Sequence, residues 1–237
     1  IGGNADFRSS KVEDLGSLEI IGGMAQFNNS NVTNLKNLEV VKGSLIIGVE
    51  SKVEDLGDLK KVGELVIQND KIKSLKNLET VTTDVEINNK NLKDLGALEY
   101  VQGTINLKDT SVTSLKNLKT VGTLELDGSK VKDLGKLEKV TKEITVGNAP
   151  VTSLGNLREI GTEEFEFFVG GILDLENSNV TDLGELRLLK GDISLVNSDV
   201  KNLKNLQSRI RLCNKREITL RNVIFKFHSV FKILLKN

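Results

Sequence analysis

LKNLETVTTDVEINNKNLKDL, residues 75–95, places apolar side chains at Leu75, Leu78, Val81, Val85, Ile87 and Leu92. Val85 and Ile87 alternate with Asp84, Glu86 and Asn88, the period-two pattern of a short strand with one buried face. The same frame returns along the chain. DLGSL begins at Asp14, NLKNL at Asn34, DLGDL at Asp55, SLKNL at Ser74, DLGAL at Asp94, SLKNL at Ser114, DLGKL at Asp133, SLGNL at Ser153, DLGEL at Asp182 and NLKNL at Asn202. The first leucines of successive motifs lie 19, 20 or 21 residues apart, except for one step of 29 from Leu154 to Leu183. A fixed short period is the signature of a solenoid, in which no unit buries its apolar face alone and stacked neighbours share one core.

Counterparts of Val85 and Ile87 are Leu45 and Ile47, Leu65 and Ile67, Ile105 and Leu107, Leu124 and Leu126, Ile144 and Val146, Leu173 and Leu175, and Ile193 and Leu195. One such strand per unit predicts a parallel sheet of about ten strands along one side, with Leu75, Leu95, Leu115 and their equivalents in one buried column. Three strands per turn would instead make a β-helix. With these residues in frame, the chain resembles a leucine-rich-repeat protein over roughly residues 1–206, of the short-repeat, bacterial type. The resemblance implies an α/β-type solenoid, with a parallel β-sheet on a concave face and short irregular or 3-10 return segments on a convex face.

One departure from the family pattern concerns the ladder position after each strand. There the chain has Ser30, Asp70, Lys90, Thr110, Ser129, Ala149, Ser178 and Ser198, and asparagine sits one residue earlier at Asn29, Asn69, Asn89, Asn148, Asn177 and Asn197. Asn tolerates a left-handed backbone, so this column marks a sharp turn; a side-chain ladder to neighbouring backbone is the competing reading. The motif also alternates, with Asp14, Asp55, Asp94, Asp133 and Asp182 in every second unit. Alternation doubles the spacing between like charges on strands about 4.8 Å apart, and it suggests duplication of a two-unit block.

Aromatic residues make up 4 % of the chain and tryptophan is absent, as suits a thin core of Leu, Ile and Val. The single cysteine, Cys213, excludes an internal disulfide framework. The cysteine-rich caps of secreted animal family members are missing, which leans toward a bacterial or intracellular origin; a bacterial cell surface or secreted location is slightly favoured. No run of 18 apolar residues exists to span a membrane. Ile1, Gly2 and Gly3 match Val41, Lys42 and Gly43, so the repeat is already in mid-course at residue 1 and a preceding leader, cap or further units are expected.

Two places break the pattern. The excess near residues 162–170 holds Phe165, Phe167 and Phe168, read either as extra core strand or as an exposed aromatic loop that touches a partner. From about residue 207 the repeat dissolves into a segment with eight Lys or Arg and one acid, Glu217, so 207–237 carries +7 while 1–206 carries −7, from 25 bases and 32 acids. This atypical basic end, 207–237, reads as a cap on the solenoid, with membrane-surface attachment or a poorly ordered end without a role as alternatives. An uncapped end would also permit self-association.

Catalytic constellations are lacking: His228 is the only histidine, and no CxxC, HExxH, P-loop or GxGxxG after a strand occurs. Neither cofactor nor metal is implied, and the protein is read as a non-enzyme. Side chains flanking each buried strand pair must face outward, and among them ten are acids, including Glu64, Asp84, Glu86, Glu125, Asp127, Glu143 and Asp174, against two bases, Arg8 and Lys108. A surface of one sign attracts a partner of the opposite sign and repels nucleic acid. The expected function is therefore non-catalytic binding of a basic protein surface through this acidic sheet. A structural or cell-surface adhesion protein without a discrete site is the alternative, and carbohydrate binding would need aromatic platforms the sheet lacks.

Overall fold

The computed structural model describes residues 1–162, 170–203 and 206–208. Strands β1 (Ala5–Asp6), β2 (Ile20–Ile21), β3 (Ala25–Gln26), β4 (Val40–Ile47), β5 (Lys61–Ile67), β6 (Thr80–Val81), β7 (Val85–Ile87) and β8 (Tyr100–Asn106) form the first half. They are followed by β9 (Thr120–Glu125), β10 (Lys139–Thr145), β11 (Glu159–Ile160), β12 (Gly171–Asp174), β13 (Leu188–Leu189), β14 (Gly191–Ser194) and β15 (Gln207–Ser208).

Every one of these strands pairs in parallel with its counterpart in a neighbouring coil, 19 to 21 residues away or 29 at the one long step, in two ladders. The first ladder stacks Ile21, Val41, Val62, Val81, Val101, Val121, Val140, Ile160 and Leu189; the second stacks Ala25, Leu45, Leu65, Val85, Ile105, Leu124, Ile144 and Leu173. Long strands such as β4, β5 and β9 run through both ladders, and the register shifts at the corner between them. Gly63 sits at one such corner because a Cβ there would lie 2.6 Å from the Lys42 carbonyl oxygen of the coil below. A third side is tied by bridges Asn34–Asp55, Ser74–Asp94, Ser114–Asp133 and Ser153–Asp182.

Backbone pairing on three sides makes this a parallel β-solenoid of about nine coils with a spacing near 20 residues. The expected α/β leucine-rich-repeat architecture is therefore corrected: among the described residues there is no helix and no 3-10 segment on the return side. The cause is a left-handed residue in each return segment. Gly57, Lys76, Gly96, Lys116 and Gly135 have φ of 58°, 48°, 61°, 47° and 57°, values a right-handed helix cannot contain. Each opens a tight turn, closed in the Leu95 coil by the Leu98 N–H donating to the Leu95 carbonyl at 3.2 Å.

The leucine column is buried as expected: Leu35, Leu56, Leu75, Leu95, Leu115 and Leu154 have no exposed surface. At the first coil Phe7 stacks on Phe27 with ring centroids 4.8 Å apart. The 29-residue step disturbs neither ladder, since Ile160 still meets Val140 and Leu173 still meets Ile144. Phe165, Phe167 and Phe168, and the basic segment beyond Ser208, lie outside the described residues.

The asparagine column divides between its two readings. Asn29, Asn177 and Asn197 are left-handed turns, with φ of 51°, 56° and 53°. Asn69 and Asn89 are buried and act as ladders, their amides donating to the Val53 carbonyl at 2.8 Å and the Ile72 carbonyl at 2.7 Å.

The Asp alternation also has a structural cause beyond charge spacing. Each Asp accepts the N–H two residues on, as in Asp55 to Gly57 at 2.8 Å, and three of them receive the lysine of the next coil: Lys36 on Asp14, Lys76 on Asp55 at 2.5 Å and Lys116 on Asp94 at 3.0 Å. Burial works against the charged form of Asp55 and Asp94, yet these hydrogen bonds and the lysine charge hold both carboxyls below their ordinary 3.8. A depressed carboxylate contributes stability above its unfolded pKa and loses it as pH falls through the folded one. Thermal stability should therefore stay level from neutrality to about pH 5 and decline below about pH 4, followed by circular dichroism. Replacing Asp55 and Asp94 by Asn should lower the plateau and shallow that decline.

Candidate functional site

The second ladder displays the expected acids because alternate residues of a strand point to opposite faces. Leu65, Val85, Ile105 and Leu124 fill the core, so Glu64, Asp84, Glu86, Glu125, Glu143 and Asp174 face outward. Parallel register assembles them into columns. Glu125 pairs across with Asn106 on one side and Thr145 on the other, and Thr145 in turn with Asp174. The acids of this column are thus separated by neutral residues, which spares the repulsion of like charges directly opposite.

Local donors hold most of these carboxylates in place. The Ser44 hydroxyl donates to Glu64 at 2.7 Å, the Asn88 amide to Glu86 at 3.1 Å and the Asn106 amide to Glu125 at 2.5 Å. Asp84 accepts the Thr104 N–H at 2.6 Å and Asp174 the Glu176 N–H at 2.9 Å. Asp127 accepts both the N–H and the side-chain amide of Asn148, at 3.1 Å and 3.2 Å, and these hold its carboxyl below the usual range. No ion pair of the described residues involves Glu64, Asp84, Glu86, Glu125, Asp127, Glu143 or Asp174.

The sheet is not uniform. β7 meets β5 through three residue pairs but β8 only through Val85 and Ile105. Next to this lapse lies an open groove of about 490 Å³, lined by Glu64, Asp84, Glu86, Asn88, Asn106 and Lys108 among others. The structure thus brings Glu64, Asp84 and Glu86 together, while Glu125, Asp127, Glu143 and Asp174 continue the acidic face beyond the groove. An acid-walled groove suits a cationic side chain.

No family model, curated protein or solved structure matches this chain. Among the described residues, no three His, Cys, Asp or Glu come together to hold a metal ion, and no helix is long and apolar enough to cross a membrane.

A second charged surface, not marked by strand alternation, lies on the third side of the coil. Lys52, Lys71, Lys73, Lys93, Lys130 and Lys132 flank the buried Val53, Ile72, Leu92 and Val131 and are exposed. The signal was present in KIK at Lys71 and KVK at Lys130, where a lysine stands on each side of one buried aliphatic residue.

Proposed function

We propose that this protein is a non-catalytic binding module that engages a basic protein surface through the acidic face of its second ladder. The observation behind this reading is the groove beside β7, where Glu64, Asp84 and Glu86 converge without an ion-paired lysine or arginine of their own. Carboxylates carried on paired strands need little ordering when a partner arrives, which favours recognition. The electrostatic term acts mainly on encounter and is screened over about 8 Å at physiological ionic strength.

A lysine-rich peptide titrated into the full chain, read by calorimetry, is the test. Binding should weaken steadily with added salt, and Glu64→Gln, Glu86→Gln and Glu125→Gln together should weaken it by about tenfold, near 1.4 kcal/mol, with the melting temperature little changed. Equal affinity of the triple variant would reduce the acidic face to a solubility device.

A structural or adhesion role without a discrete site is the second reading, and continuous cross-coil bonding supports it. The Asn37, Asn77, Asn117 and Asn156 amides each donate to the glycine carbonyl of the coil below, at 2.8, 3.0, 3.0 and 2.7 Å. Such a run stiffens the coil lengthwise.

A further inference from the structure

Among the described residues, ion pairs run along the first side, on the first coil, between Lys90 and Asp70, and from Lys36, Lys76 and Lys116 to Asp14, Asp55 and Asp94 at the end of the third side, but they leave out the outward acids of the second side and the outward lysines of the third. On the first side Lys60 meets Glu39, Lys119 meets Glu99, and Glu159 holds both Lys139 and Lys190. The acids Glu64, Asp84, Glu86, Glu125 and Glu143 of the second side are in none of these pairs, and neither are Lys52, Lys71, Lys73, Lys93 and Lys132 of the third.

The two sides also share a rhythm. In the coil of Leu65, Glu64 faces out on the second side while Lys71 and Lys73 face out on the third; in the next coil the acids are Asp84 and Glu86 and the lysine is Lys93. The coil of Ile105 carries neither: its second side presents Thr104 and Asn106, its third Ser111 and Thr113, and Lys108 and Asp109 stand at the corner between them. In the coil of Leu124, Glu125 and Asp127 are matched by Lys130 and Lys132. From the coil of Leu65 to that of Leu124 acids and lysines thus rise and fall together, whereas the coils of Ile144 and Leu173 carry Glu143, Asp174 and Glu176 without a third-side lysine and the coil of Leu45 carries Lys52 beside Glu54 without a second-side acid.

Both rows are spaced by the same coil rise of about 4.8 Å. Two copies lying side by side, parallel and without axial shift, set the acidic coils of Leu65, Val85 and Leu124 of one against the lysine coils of the other and leave the neutral coils of Ile105 facing one another. A surface with a different repeat falls out of step within a few coils.

We propose that the acidic second side binds the lysine-bearing third side of a second copy of this chain, in parallel and unshifted lateral association. This rests on reading the second side as a protein-binding surface, and it names the partner. The contact is heterologous, so each bound copy leaves one side of each sign free and association continues into a ring or an open array.

Charge reversal of each side, followed by sedimentation velocity of the full chain, tests the proposal. Wild-type protein should associate at about 0.02 M ionic strength and return to monomer at about 0.5 M. Glu64→Lys, Glu86→Lys and Glu125→Lys together should weaken association by about tenfold or more, and so should Lys71→Glu, Lys73→Glu, Lys93→Glu and Lys132→Glu together. An equimolar mixture of the two variants should associate again, because each then offers the sign the other lacks. Melting curves establish that both variants fold, and Glu64→Gln with Glu86→Gln serves if reversal does not.

Folded wild-type protein that stays monomeric at low ionic strength would overturn the proposal. So would a mixture that fails to reassociate, or a third-side variant that associates as wild type does. Monomeric protein that still binds the lysine-rich peptide would overturn self-recognition alone and leave the proposed function standing.

Discussion

Gly96→Ala should destabilise the solenoid by about 3 kcal/mol or more, whereas Gly155→Ala should cost no more than about 1 kcal/mol. Both glycines occupy the left-handed position after the first leucine of the motif, with φ of 61° and 55°. Backbone strain alone would make the two substitutions equivalent. They differ in what lies beneath. A Cβ on Gly96 would stand 2.2 Å from the Lys76 carbonyl oxygen and 2.5 Å from the Lys76 nitrogen, while one on Gly155 would meet nothing within 4 Å. Backbone atoms in a hydrogen-bonded coil cannot move aside cheaply, so the clash at Gly96 must be relieved by separating coils.

The same contrast accounts for the alternation of glycine and lysine along this column. Gly57, Gly96 and Gly135 each lie over a lysine backbone, at 2.3, 2.2 and 2.5 Å from its carbonyl oxygen to their ideal Cβ. Lys36, Lys76 and Lys116 occupy the alternate coils, where a side chain fits and reaches the Asp below. Gly155 stands at a lysine position, so Gly155→Lys should fold normally. Chemical denaturation of the three variants checks the series, and equal losses for Gly96→Ala and Gly155→Ala would contradict the stacking described.

Leu95→Ala should cost about 2 to 5 kcal/mol, the range for a fully buried leucine that leaves a cavity. Leu95 has no exposed surface and lies in the leucine column between Leu75 and Leu115, so neighbours on both sides lose contacts. Leu15, in the first coil, is only partly buried against the core, and Leu15→Ala should cost about 1 kcal/mol. A repeat array transmits such a loss to adjacent coils through their shared interface. Hydrogen exchange should show the Leu95 change raising exchange in the coils of Leu75 and Leu115 first. Uniform exchange along the whole chain, or a loss at Leu95 no larger than at Leu15, would contradict a continuous stacked core.

The period, the parallel ladder and the buried leucines were legible because apolar spacing reports directly which side chains leave water. The architecture around them was not. A leucine-rich-repeat unit and a β-solenoid coil bury apolar residues at the same spacing, and what separates them here is backbone conformation after Leu35, Leu56 and Leu75. Glycine alone in that column would have announced a left-handed turn, but Lys36, Lys76 and Lys116 adopt the same conformation and conceal it.

At the candidate site, alternation along each strand was enough to bring Glu64, Glu86 and Glu125 to one face. The groove beside β7 was hidden, since it lies where β7 and β8 keep only the pair between Val85 and Ile105, a lapse that no composition signals. The third-side lysines were readable residue by residue but carried no weight while that side was expected to be irregular.

The central claim, that the acidic second side is the binding surface, is tested most directly by zero-length carbodiimide coupling of a lysine-rich peptide to the full chain, with the modified carboxylates located by mass spectrometry. Coupling should concentrate at Glu64, Asp84, Glu86 and Glu125. Coupling that favours Glu39, Glu79 and Glu99 on the first side, or Glu13 and Glu54 on the third, would contradict it.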